Sequence, residues 1–216
     1  IYDSEGNRIV RKQETNIGDF CADALRSFTD ADIAMVNGGG IRTNIKRGEI
    51  LFNDLYNVMP FGDMIATGTF YGEQLLDVLE FAVSALPTEA GTFMQVSGLR
   101  FTVDPDIPSP VMKDTETGMF SHVGEGERRV SHVEILDKQS GEYKAVELSR
   151  QYTIATLDYL ILEQGGSGIL SCVKPDSIYW GADIEVLRHY LESVLGGNIG
   201  SEYTQPQGRI IYNYFN

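Results

Sequence analysis

Catalytic signatures are what this chain most lacks. Its three histidines, His122, His132 and His189, show no HxH or HExxH spacing that would gather a metal, so each reads as structural or surface. There is no GxSxG elbow, no Walker loop and no GxGxxG. Only two cysteines occur, Cys21 and Cys172, far apart and outside any CxxC pattern, which argues against a redox or thiolate-metal motif. Whether they pair stays open at this level. Basic residues are few, with 17 Lys and Arg against 31 Asp and Glu and a net charge of −14. Binding to a nucleic-acid polymer rests on clustered cations that neutralise phosphates, so this balance argues against such a partner. A mononucleotide needs only two or three well-placed arginines and is not excluded. No apolar run approaches the roughly eighteen residues that cross a bilayer as a helix, and no signal-peptide pattern is present. The opening Ile1, in place of methionine, reads as the start of a cut or processed piece.

What is present belongs to an ordinary globular chain. The 216 residues, 42% apolar and 22% charged, can bury a full core without disulfide or metal staples, as one large domain or two small ones. We expect a strand–turn–strand over Ile1 to Val10 around Gly6-Asn7. A helix should start at an Asn16 N-cap, with Ile17, Phe20, Leu25 and Phe28 on one face. Ile33 to Val36 and Glu49 to Phe52 read as short strands, and Asp63 to Phe70 as a strand leading into a helix over Tyr71 to Leu86 that Pro87 stops. Ser97 to Val103, Val130 to Leu136, Tyr152 to Leu157 and Gly208 to Tyr212 read as strands. Asp104 to Arg129 is a long polar excursion, and a last helix runs from Ile184 to Leu195 between an Asp183 cap and Gly196-Gly197. Strands precede each helix without strict alternation, which predicts an α+β fold.

The chemistry on offer is that of binding. Asn37-Gly38-Gly39-Gly40-Ile41-Arg42 follows an apolar strand, and Gly39 and Gly40 let backbone approach a ligand closely. Arg42, and Arg11 just ahead of the first helix, could flank a phosphate or carboxylate through paired charge-assisted hydrogen bonds. Asn37 offers a donor and an acceptor to a heterocycle edge. Phe61, in Met59-Pro60-Phe61-Gly62, and Tyr159, ahead of Glu163-Gln164-Gly165-Gly166-Ser167-Gly168, both sit beside glycine-rich turns where two rings could sandwich a base. The competing account of the same residues is a glycine hairpin, a surface arginine and aromatics packed in a core.

Four blocks together carry a resemblance: Glu14-Thr15-Asn16-Ile17-Gly18-Asp19, Asn37 to Arg42, Met59 to Gly62, and Gln95-Val96-Ser97-Gly98-Leu99-Arg100-Phe101. A fifth, Asp158-Tyr159-Leu160 leading to Gly165-Gly166-Ser167-Gly168, fits with changes. In this order, over Arg8 to Gly168, the chain resembles the C-terminal substrate-binding domain of the 5′-nucleotidase family, which includes bacterial UDP-sugar hydrolases and cell-surface ecto-5′-nucleotidases. The resemblance implies a four-layer α/β/β/α sandwich with mixed sheets, residues 1–216 being one domain. It also implies a separate N-terminal metallophosphoesterase domain holding two divalent metal ions, and an extracytoplasmic location. The substrate would be a nucleotide phosphate ester, with Phe61 and Tyr159 stacking on the base, Asn37 at its edge, and Arg11 and Arg42 toward the phosphate. Tyr159 stands where the family usually has phenylalanine, and Ser167 where it usually has an aspartate that holds the ribose hydroxyls. The Ser167 departure leaves a second account open, a non-catalytic module that kept the fold without nucleotide recognition.

Overall fold

The computed structural model describes residues 1–162 and 167–213. Its first regular helix, α1 (Asn16–Thr29), follows from an apolar stripe that puts Ile17, Phe20, Cys21, Ala24 and Leu25 into the interior. The cap is Thr15, one residue earlier than the sequence suggests: its hydroxyl accepts the Gly18 N–H at 3.1 Å, the bond that a shorter-reaching N-cap side chain makes to N3. Ahead of α1, the expected strand pair shrinks to a single bridge between Tyr2 and Arg8, followed by a 3-10 turn over Ile9–Arg11.

The strands form two mixed sheets. In chain order they are β1 (Ile33–Asn37), β2 (Met64–Tyr71), β3 (Met94–Ser97), β4 (Leu99–Val103), β5 (Val111–Lys113), β6 (Phe120–Val123), β7 (Val130–Leu136), β8 (Tyr143–Ala145), β9 (Gln151–Leu157), β10 (Lys174–Ala182) and β11 (Ile210–Tyr212). Five make one sheet in the order β10-β2-β9-β1-β3, and four make the other as β11-β4-β7-β8. Pairing is antiparallel except for β1 with β9 and β11 with β4. The polar excursion folds back as the hairpin β5–β6. The stretch Ser97 to Val103 is two strands in different sheets. Gly98, at φ +70°, makes the corner between them, in a conformation that a side chain would strain and where a Cβ would meet the Asp32 carbonyl.

The remaining helices are α2 (Phe52–Val58), α3 (Gly72–Ala82), α4 (Asp158–Ile161) and α5 (Asp183–His189), the last continuing as a π turn over Tyr190–Val194. Where a strand over Glu49 to Phe52 is expected, the chain instead enters α2, because the Asp54 carboxylate turns back to accept the Leu51 N–H at 2.8 Å. Helix α1 lies against β1, β3 and β9, and α5 packs beside α1. Both sheets contribute to one apolar core, with Met35, Val36 and Ile154 from the first and Leu99, Phe101 and Val103 from the second fully or almost fully buried. The architecture is α+β with mixed sheets. Cys21 and Cys172 are both free thiols, and His189 packs edge-on to Phe28 at 5.4 Å.

Candidate functional site

The sheet order brings together residues that are remote in the chain. Strands β1 and β9 are parallel neighbours, with Ile33 beside Ile154, so both end at the same sheet edge. Strands β2 and β3 run the other way, with Ile65 opposite Leu157 and Met94 opposite Asn37, and therefore begin at that edge. Four connections thus open on one place: the glycines after β1, the turn before β2, the Gly91-Thr92 segment before β3, and α4 after β9. Carboxyl ends of parallel strands are where open sheets bind ligands. A cavity of about 390 Å³ lies here, lined by Asn37, Gly39, Gly40, Phe61, Tyr159 and Ser167, together with Asp63, Gly91, Thr92, Met94, Leu160 and Ile169.

Six of the eight residues singled out from the sequence therefore share one wall. Phe61 is 60% exposed and Tyr159 37% exposed, so neither is a core ring, and packing does not account for them. Each stands on a fixed backbone. The Asp158 carboxylate accepts N–H bonds from Met64 at 3.1 Å and Tyr159 at 2.8 Å, joining the two aromatic segments through one side chain. Ser167 is buried, and its carbonyl accepts the Phe120 N–H at 2.7 Å. Gly165 and Gly166 lie outside the described residues.

The glycine turn is fixed by its neighbours. Gly38 and Gly39 donate to the carbonyls of Phe93 at 2.7 Å and Gly91 at 3.0 Å. Gly38 must be glycine for another reason: a Cβ there would overlap the Val10 carbonyl oxygen. Asn37 Oδ1 is buried and accepts no hydrogen bond from the protein. An orphan acceptor of this kind costs about 1–3 kcal/mol and in a cavity wall marks a place for an outside donor.

The two predicted arginines are placed differently. Neither belongs to the cavity wall. Arg42 lies over the Phe61 ring at 5.7 Å and donates to the Gly39 carbonyl at 3.0 Å. Arg11 closes the 3-10 turn that precedes α1. Arg8, which sequence reasoning passed over, joins them. It donates to the Ile41 carbonyl at 2.8 Å, and burial, then the charges of Arg11 and Arg42, push its guanidinium below the ordinary value. Three like charges so near one another repel, and an anion beside them would relieve that repulsion. A signal was available, since residues three apart eclipse on a 3-10 turn and Arg8 stands three before Arg11.

Asp183 anchors the Phe61 turn from below. Its carboxylate accepts the Asp63 N–H at 3.2 Å, and its own N–H donates to the Asp63 carbonyl at 2.9 Å. Burial pushes this carboxyl up to about 6; the Ile184 N–H opposes that, and the charge of Asp63 adds to it. The unfolded chain ionises the same group near 3.8, so between the two values raising the pH strips protons from the unfolded state alone. Stability should fall over that window and level off above it. Asp183→Asn removes the titrating carboxyl, keeps an acceptor for one of the two amides, and should flatten this segment of a urea-midpoint-against-pH curve; an unchanged slope would contradict it.

A second cavity of similar size, lined by Asp32, Asp137, Lys138 and Lys144 among others, settles its charges internally through Lys138–Asp32 and Lys144–Asp137 pairs. No histidine lines the first cavity. Among the described residues no three His, Cys, Asp or Glu side chains converge as metal ligands, so no metal step is assigned to them. Nor is any helix among them long and apolar enough to cross a membrane.

Comparison with known proteins shows the family and the fold. The family model described as the 5′-nucleotidase C-terminal domain matches residues 2–174, and the chain belongs to that family. A 5′-nucleotidase of Vibrio parahaemolyticus is 30% identical over 211 residues, covering 96% of this chain and 32% of the relative. A trifunctional nucleotide phosphoesterase of Bacillus subtilis is 31% identical over 205 residues, 93% of this chain and 12% of its own length. The chain thus spans a third or less of these curated relatives. Among solved structures, a 5′-nucleotidase precursor from Thermus thermophilus superposes with a TM-score of 0.77 at 27% identity, covering 95% of this chain and 36% of that one. Haemophilus influenzae NAD nucleotidase shares the fold at a TM-score of 0.69 and 20% identity, covering 98% and 34%. In enzymes of this kind the domain is one part of a larger hydrolase.

Proposed function

We propose that residues 1–216 act as one domain that grips the nucleoside part of a nucleotide for a 5′-nucleotidase-type phosphoesterase. The reaction itself, hydrolysis of a phosphate ester by two divalent ions, belongs in this reading to a separate N-terminal domain, and the whole enzyme works outside the cytoplasm. Phe61 and Tyr159 hold the base, Asn37 meets its edge, Gly39 and Gly40 let the ligand approach the backbone, and Ser167 faces the sugar. Arg11 and Arg42, with Arg8 beside them, attract the phosphate. The observation that carries the reading is that two exposed rings nearly a hundred residues apart line the same cavity, with a guanidinium over one of them.

Titration of the chain with adenosine and with AMP tests this. Both should bind saturably, AMP more tightly, and the AMP advantage should shrink as salt rises because exposed charge pairs are screened. The same chain given AMP, UDP-glucose and a divalent metal should release no phosphate above background. Activating water between two metals about 3.5–4 Å apart needs a ligand set that the described residues do not assemble. Absence of binding up to millimolar nucleotide would favour the second account, a module that kept the fold alone.

A further inference from the structure

Phe61 and Tyr159 belong to different connections, so the slot between them has a defined width only if one connection is tied to the other. Phe61 is exposed, and so is Gly62 beside it, at φ +71°. The ring therefore takes its position from the backbone below, where the turn runs into β2. Asp183 fixes Asp63 from the β10 side, through both the N–H and the carbonyl of that residue. Asp158 fixes Met64 from the β9 side. The β2–β9 ladder ends with Ile65 opposite Leu157, and one position beyond it β9 has become α4. There the Asp158 side chain takes the place of a ladder partner. A single oxygen, Oδ1, accepts the Met64 N–H at 3.1 Å and the Tyr159 N–H at 2.8 Å. One atom thus ties the segment of Phe61, three residues before Met64, to the backbone that carries the other ring.

An aspartate in the first turn of a helix ordinarily serves the helix, by meeting its positive end. Here α4 has only four residues, and the bond to Met64 crosses to another strand, which capping does not require. Nor does Asp158 line the cavity, so it acts through the rings and not on the ligand. We propose that Asp158 is a positioning residue that sets the separation of the two rings so that a flat base fits between them, an inference that rests on the nucleotide reading.

The test is calorimetric titration of the chain with AMP, repeated with Asp158→Asn, Asp158→Ala, Tyr159→Ala and the Asp158→Ala/Tyr159→Ala pair. An amide keeps one carbonyl oxygen to accept both N–H groups while it removes the charge. Asp158→Asn should therefore bind AMP as the wild type does. Asp158→Ala cuts the tie and should cost about fivefold or more in affinity, the smaller end of what one stacking contact supplies. With Tyr159 already alanine no slot remains to be set, and the same change should cost much less. A residue that only stabilised the fold would cost the same in both backgrounds. Asp158 is half-buried, so the alanine variant should fold, which a thermal melt checks. Asp158→Glu, which keeps the charge and carries the oxygens one carbon farther out, should show a similar loss. Equal weakening in Asp158→Asn and Asp158→Ala would make the charge, and not the bridge, the active feature, and overturns the role. Wild-type affinity in Asp158→Ala or Asp158→Glu overturns it too, as does a loss in Asp158→Ala that is the same with and without the Tyr159 ring. Any of these leaves the nucleotide reading standing. Failure of the wild-type chain to bind AMP brings down that reading, and this role with it.

Discussion

Replacing Phe61 and Tyr159 together by alanine should weaken nucleotide binding by about 30-fold or more while the chain stays folded. Both rings are exposed on the cavity wall, so little core packing is lost with them. Exposed positions of this kind usually change stability by no more than about 0.5 kcal/mol. Binding is another matter. Stacking on an aromatic ring is worth about 1–3 kcal/mol per base, so each single variant should weaken AMP by roughly 5- to 150-fold. The two losses together, about 2–6 kcal/mol, amount to a weakening of roughly 30-fold to 10,000-fold or more. Phe61 also supports the Arg42 guanidinium, and its removal frees that side chain from the mouth of the site. Calorimetric titration paired with a thermal melt checks both halves. Undiminished affinity in the double variant would mean that the nucleotide sits elsewhere.

The largest effect on stability should come from Gln95→Met, a change that nearly preserves volume. Gln95 is fully buried in β3 and reaches across to the segment before α1. Its amide donates to the Val10 carbonyl at 3.0 Å and the Gln13 carbonyl at 2.8 Å, and its oxygen accepts from the Thr15 N–H at 3.0 Å and the Thr15 hydroxyl at 3.3 Å. Methionine would leave two carbonyls and one N–H without partners, at about 1–3 kcal/mol each. The total, about 3–9 kcal/mol, is comparable with the whole stability of many domains. The close fit is visible from the other side as well, since a Cβ at Gly18 would run into the Gln95 side chain. The segment that Gln95 holds carries Arg8 and Arg11. A folded remnant at low temperature should therefore lose more affinity for AMP than for adenosine. Denaturant midpoints measure the stability loss; a shift worth less than about 1 kcal/mol would show that these hydrogen bonds are replaceable.

Much of the fold could be read from the residues, and the misreadings have identifiable causes. Val130 to Leu136 and Ile33 to Val36 stand out as strands because they are apolar, or apolar in alternation, between turn residues. β10 escaped because it opens with Lys174-Pro175-Asp176-Ser177, the charge and proline expected of a strand at a sheet edge, where it lies. Ser97 to Val103 reads as one strand because a glycine corner leaves no mark in an apolar pattern. The start of α2 resembles a strand because Leu51 and Phe52 are apolar, and the cue to the helix lies in the Asp54 side chain.

The site was legible to a different degree. Phe61 and Tyr159 line one cavity because β2 and β9 are antiparallel neighbours, a pairing that no local pattern encodes; the family resemblance implied only that both rings face the base. Asp63 drew no notice, since one acid among 31 is not conspicuous until the cavity shows which acid is inside. Gln95 lay within a recognised block, but its role depends on four bonds to a segment some eighty residues away.

The central claim is that a base lies against both rings of this cavity. Intermolecular nuclear Overhauser effects in the chain saturated with nucleotide measure that directly. We expect contacts from the base protons to the ring protons of both Phe61 and Tyr159. Contacts to neither ring, or contacts instead to the side chains around Lys138 in the other cavity, would contradict it.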